Sequence, residues 1–146
     1  MDIREVDIHV ILPQREPFLF CDHIVEFTDD SAATEYTVPA GGLFIEDGLL
    51  RSDAIVEIMA QTAAARLGYK AIYIDHTPVR IGVIGSVKNF QVLRRPSPGE
   101  LLRTEITVIH DVFGITLVGA ETKSRGETIA SGQLKIALSD REMNQA

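Results

Sequence analysis

The sequence predicts an α+β domain in which an antiparallel sheet wraps around one long central helix. Three observations predict it. The stretch 53–69 holds no proline and is apolar nearly all round, the signature of a helix inside a core rather than on a surface. Two strand-like segments precede it and four follow it. The late strands are joined by turns too short for a crossover helix, so they pair antiparallel.

Each element follows from local chemistry. Segments 24–26 and 32–38 form a first hairpin around Asp29-Asp30. Ser52 is the expected N-cap of the helix, and Asp53 in the first turn favours its positive end. Gly68 is the expected C-cap. Ala54, Ile55, Ile58, Met59, Ala63 and Leu67 supply much of the apolar surface. The polar exceptions Asp53, Glu57 and Gln61 stand four residues apart and form one narrow stripe. Segment 79–93 begins as an apolar run in which Gly82 and Gly85 mark close approach of the helix or a ligand. In 101–109, Leu102, Thr104, Ile106 and Val108 share one face. Phe113-Gly114 turns into 115–123, and Ser124-Arg125-Gly126 turns into 128–138. The polar tail 139–146 is expected to fray. A helix of about 18 residues is about 27 Å long, and a ten-residue strand spans roughly 33 Å. One sheet can therefore cover one side of the helix. The other side needs a second cover, and a symmetric dimer is the commonest way to supply it.

The bulk composition narrows the function. A chain of 146 residues with 45% apolar content suits one domain, 1–146, with one core. The net charge of −7 argues against nucleic acid or an acidic membrane as the main partner. The run Val10-Ile11-Leu12 stops at Pro13, too short for a signal peptide or a membrane span, so the expected location is cytoplasmic. Cys21 is the only cysteine, which excludes an internal disulfide, and among apolar neighbours it is expected to be a small buried hydrophobe. No Cys or His spacing points to zinc, and no metal is expected.

Three stretches resemble the β-hydroxyacyl-acyl-carrier-protein dehydratases. Leu12-Pro13-Gln14-Arg15-Glu16-Pro17-Phe18-Leu19-Phe20-Cys21-Asp22 is close to that family's entry motif of LPHR, PFL and D. Glu57-Ile58-Met59-Ala60-Gln61 matches E-x-M-A-Q on its central helix. Arg95-Pro96-Ser97-Pro98-Gly99-Glu100 is like the RPVxPGD before a long strand. The three occur in order, at matching spacing, and cover nearly the whole chain. The resemblance implies a hot-dog fold, a dimer and an active site at the subunit interface. That site takes a His from a G-H-F-P motif on one chain and a Glu from the helix of the other. It also implies a substrate carried on the phosphopantetheine of an acyl carrier protein, or on CoA, and no further cofactor. Counting back from Glu57 without gaps sets Gly42-Leu43-Phe44-Ile45 against G-H-F-P, so Leu43 occupies the histidine position. Leucine neither accepts nor donates a proton. The segment Leu43-Phe44-Ile45-Glu46-Asp47-Gly48 looks more like a divergent branch, found in aryl polyene and related pigment gene clusters.

Glu57 is the leading catalytic candidate, because a carboxylate on an otherwise buried helix is unfavourable unless it is paired or lines a pocket. Gln61, Ser52 and Asp53 are supporting candidates, with Gln61 better suited to orienting a neighbour or bonding backbone. Glu46 and Asp47 lie in the right loop to replace the missing histidine but suit solvated loop acids better, and His9, His23, His76 and His110 are scattered. Arg94, Arg95 and Arg51, joined by Lys70 and Arg80, form the candidate patch for docking an acidic carrier protein. Four readings follow. One is dehydration of a 3-hydroxyacyl thioester, with the histidine supplied by a dehydratase-like paralogue in a heterodimer. The others are an acyl-thioester hydrolase built on Glu57, a non-catalytic subunit that binds acyl carriers, and a purely structural homodimer.

Overall fold

A computed structural model describes residues 2–143. A 3₁₀ turn, Ile3–Glu5, leads into a short helix α1, Ile8–Ile11. The first hairpin follows as β1, His23–Phe27, and β2, Ser31–Thr37. A two-residue pair, β3 at Ile45–Glu46 and β4 at Leu49–Leu50, precedes the long helix α2, Ser52–Tyr69. A π-helical turn, Lys70–Asp75, leads to β5, Arg80–Val92, β6, Leu101–Val112, β7, Ile115–Ser124, and β8, Glu127–Glu142. The main sheet is antiparallel, in the order β1-β2-β6-β7-β8-β5, and α2 lies against one face of it. This is the architecture that the sequence predicts.

The core sits between α2 and the inward residues of the sheet. Ile55, Ile58 and Met59 of α2 are buried against Ile24, Leu102, Ile106 and Leu134. Each such side chain contributes about 1.5–3 kcal/mol by leaving water. Buried threonines keep their hydroxyls paired: Thr34 with Thr62 at 2.8 Å, and Thr104 with Thr122 at 2.7 Å. No helix among the described residues is long and apolar enough to cross a membrane.

Five details differ from expectation. Arg51, with extended backbone, caps α2, while Ser52 is its first helical residue and no side chain makes a cap bond. Gly68 lies inside the helix. A Cβ there would collide with the Ile11 carbonyl, so this glycine lets α1 close against α2. The chain instead leaves the helical region at His76, whose φ is 55°. At Gly82 the close neighbour is neither helix nor ligand: a Cβ would meet Ile136 of the adjoining strand at 3.1 Å. Gly82 and Gly85 lie where β5 slips register against β8. The strand β5 is not beside β6, because the chain crosses the molecule between them and β5 pairs with β8 at the sheet edge. Finally, residues 139–142 continue β8, and Met143 is buried with its N–H on the Val79 carbonyl at 2.6 Å. The fraying expected there is absent, and 144–146 lie outside the described residues.

The helix itself is only half enclosed. Asp53 and Glu57 are exposed, and Val56, Ala60, Ala64 and Leu67 on the same side are partly so. The lengths of helix and strands predict this one-sided cover. One sheet buries one side of α2 and leaves this stripe open.

Candidate functional site

The outward stripe of α2 separates its three polar residues. Glu57 is exposed, and its side chain makes no hydrogen bond or ion pair among the described residues. It is therefore not the buried acid that the helix pattern implied. Asp53 accepts bonds from Arg51, at 3.1 Å to Nε and 2.9 Å to Nη2, and is held at the surface of the first turn. Ser52 is half-buried and directs no bond to the cap. One turn beyond Glu57, Gln61 is 1% exposed. Its Nε2 donates to the Phe18 carbonyl at 2.8 Å, and its Oε1 accepts the Phe20 N–H at 2.7 Å. Gln61 therefore pins the Phe18–Phe20 segment of the first motif to the helix that carries the second. It does not hold Glu57.

The crossover motif anchors the start of the same helix. Arg95 donates to the carbonyls of Leu50 at 2.9 Å, Leu49 at 3.0 Å and Glu46 at 2.7 Å. The Leu50 N–H in turn donates to the Pro96 carbonyl at 2.8 Å. Glu100 is 8% exposed and receives both Arg94 terminal nitrogens, the Ser97 N–H and hydroxyl, and the Ser124 hydroxyl. The Arg94 guanidinium, with these other donors, holds its carboxyl well below the usual range. The sequence motif includes Glu100, but its role was not read there. An acid closing a Pro-Gly turn between two arginines and two serines was the available signal.

The expected docking residues come together only in part. Arg94 faces Glu100, while Arg95 and Arg51 share a surface hollow with the acids Glu46 and Asp53. Lys70 and Arg80 lie elsewhere, around a second hollow, paired with Asp75 and Asp140. The chain crossing between β5 and β6 keeps these groups apart.

Leu43 is 65% exposed and lines a cleft of about 400 Å³ with Ile8, Leu19, Tyr36, Pro39 and Phe44. Edge-to-face aromatic pairs back this cleft: Phe44 with Phe18 at 5.9 Å and with Phe20 at 4.8 Å, and Phe20 with Tyr36 at 5.7 Å. The cleft and Tyr36 were not singled out from the sequence, because its walls come from separate segments of the chain. Cys21 also lines it, fully buried, and burial pushes its thiol up to about 12, so it is no nucleophile. Asp47 (φ 53°) and Gly48 (φ 77°) form the tight turn between β3 and β4, which accounts for the acid there. Glu46 stands 3.8 Å from Arg51.

The four histidines disperse as the sequence implied. His23 bonds Glu35, His76 ends the π turn, and His110 lies on β6. Only His9, among the described residues, shares the cleft of Leu43. It sits between Glu16 at 2.9 Å and Asp7 at 3.0 Å, which raise its pKa. No hydrogen bond or ion pair joins any of the four to Glu57 among the described residues. Nor do the described residues contain a group of acids, histidines and cysteines that could hold a metal ion.

Known proteins extend these observations. The family model of the ApeP-like dehydratases, described as ApeP dehydratase, matches residues 6–146. The 3-hydroxyacyl-acyl-carrier-protein dehydratase FabZ of Shewanella oneidensis is 30% identical over 154 aligned positions, which cover 99% of this chain and 96% of that protein. Among solved structures, the dehydratase heterocomplex ApeI:P from Xenorhabdus doucetiae superposes with a TM-score of 0.86. It is 17% identical and covers 94% of each chain. A hypothetical thioesterase with coenzyme A from Streptococcus pneumoniae reaches 0.64 at 10% identity, covering 80% of this chain and 84% of that one. The fold is thus the hot-dog arrangement of sheet around helix, and the chain belongs to the ApeP-like dehydratase family.

Proposed function

We propose that this chain is one half of a dehydratase for 3-hydroxyacyl thioesters carried on an acyl carrier protein. In this reading Glu57 is its catalytic group, and the histidine comes from a dehydratase-like partner subunit. The observation that carries the reading is the state of Glu57. It occupies the E-x-M-A-Q position, is exposed and makes no hydrogen bond or ion pair among the described residues, on a half-open helix face it shares with Asp53 and the partly buried Val56, Ala60, Ala64 and Leu67. Such a face needs a cover, and β5 leaves an open sheet edge, with Val83 and Val87 exposed along it, where a second chain can pair.

The chemistry divides between the two subunits. The partner's histidine takes the α-proton from C2. The C3–O bond breaks, the electron pair of the C2–H bond forms the double bond, and Glu57 as a carboxylic acid delivers a proton to the departing hydroxyl. Water leaves, and the product is an enoyl thioester. In this reading the backbone N–H groups that a helix start leaves unpaired, at the first turn of α2, polarise the thioester carbonyl. Leu43 makes this division necessary, because this chain's own loop presents a hydrocarbon where the proton acceptor is needed.

Enoyl formation from a 3-hydroxyacyl carrier protein tests the reading. The chain alone is expected to form no product, and its mixture with a histidine-bearing paralogue is expected to form it. Absence of product in every such mixture overturns the proposal. A single unpaired carboxylate also suits thioester hydrolysis. Release of free thiol from an acyl-CoA, abolished by Glu57→Gln, would put the hydrolase reading in its place.

A further inference from the structure

We propose that Arg95 is a positioning residue for the dehydration, one that fixes the start of α2 and with it the first-turn N–H groups, and not a cation that docks the carrier protein. The inference rests on the reading above, in which Glu57 and the first turn of α2 meet the substrate.

The start of α2 is weakly held by its own segment. The pair of β3 and β4 is two residues long on each side, and no side chain makes a cap bond to the helix. Arg95 supplies the grip from a distant segment. One edge of its guanidinium, formed by Nε and Nη2, reaches the carbonyls of Leu50, Leu49 and Glu46 at 2.9, 3.0 and 2.7 Å. The Arg51 N–H donates to the Phe44 carbonyl at 2.8 Å, which ties the Leu43 loop to the same point. Among the described residues, no other side chain bonds the backbone of 43–52.

The surroundings of Arg95 are unusual for an arginine. Its neighbours Arg94 and Arg51 are paired with acids, Glu100 for the first, Asp53 and Glu46 for the second. Arg95 is half-buried, and its guanidinium bonds only neutral carbonyls, with no ion pair among the described residues. It lines the hollow beside Ser52, at the positive end of the helix, where a cation is unfavourable for stability.

That placement suits a reaction at the first turn better than docking. A docking cation needs its donors free for an acidic partner, whereas this fork is committed to the chain's own backbone. Three held carbonyls fix where the first-turn N–H groups point. A positive charge without a counterion beside them favours the negative charge that develops on a thioester oxygen. Glu57 follows on the same helix, so the same grip places its carboxyl.

Steady-state dehydration of a 3-hydroxyacyl carrier protein by the complex with a histidine-bearing partner tests this, with complex formation checked for each variant. Arg95→Lys keeps the charge and loses the planar fork. It should lower kcat by roughly 10–100-fold, as small misplacements of a reacting geometry do, and leave KM for the carrier within about twofold. Arg95→Ala should lose as much. Millimolar guanidinium ion, which restores the fork through the hollow, should raise the kcat of Arg95→Ala at least about fivefold. Methylammonium, which restores only the charge, should not. Wild-type kcat in Arg95→Lys, a KM raised more than kcat falls in either variant, no rescue or equal rescue by the two ions, or failure of both variants to join the complex would each overturn the inference, while product from the wild-type mixture still supports the dehydratase reading. No product from any wild-type mixture would sink that reading and the inference with it.

Discussion

The two motif glutamates of this chain, Glu57 and Glu100, have opposite surroundings. Glu100 is buried at the crossover before β6 and is bonded by Arg94, Ser97 and Ser124. Glu57 is exposed on α2, and its side chain has no such partner among the described residues. An acid clamped by its own chain has its oxygens committed to internal donors and is held as a carboxylate down to low pH. An acid left open on an apolar helix face is free to meet a group from outside. Motif matching weights the two alike, and only their partners separate the acid held by its own chain from the one left open.

Substitutions at both positions and between them sharpen that contrast. Glu100→Gln removes a charge that holds several donors and should lower unfolding stability by ~2 kcal/mol, measured by urea denaturation. The same carboxyl sets an acid limit. Its folded pKa is depressed, so its stabilisation is complete above the ordinary glutamate value of about 4.3 and fades as pH falls below it towards the lower folded value. Stability of the wild-type chain should therefore drop below about pH 5, and Glu100→Gln should flatten that part of the profile. Gln61→Ala, which leaves the Phe20 N–H and the Phe18 carbonyl unpaired, should cost about 1–2 kcal/mol. Glu57→Gln should change stability by no more than about 0.5 kcal/mol, as surface substitutions do. A large loss there, equal to that at Glu100, would erase the distinction.

The same contrast marks what was legible in the sequence. The apolar run of 53–69 exposed α2 to view because periodicity is a local signal, and the hairpins were visible through Asp29-Asp30, Phe113-Gly114 and Ser124-Arg125-Gly126 for the same reason. Leu43 and Glu57 were visible as motif positions. Long-range properties were not. The position of β5 beside β8, rather than β6, depends on where the chain crosses, and that crossing separates Lys70 and Arg80 from Arg94 and Arg95. Gly68 looked like a C-cap because nothing in the sequence announces the approach of Ile11. Ser52 looked like an N-cap, but the cap conformation falls one residue earlier, at Arg51. The open Val56, Glu57 and Ala60 side of the helix was legible, because one sheet of these strand lengths covers only one side.

The proposed catalytic role of Glu57 is tested most directly by enoyl formation in the complex of this chain with a histidine-bearing partner. Glu57→Gln in that complex should lower the rate by roughly 10²–10⁴-fold, the range for loss of a positioned acid–base group. Complex formation and stability should stay as in the wild type. Wild-type rates in the intact Glu57→Gln complex would contradict the account.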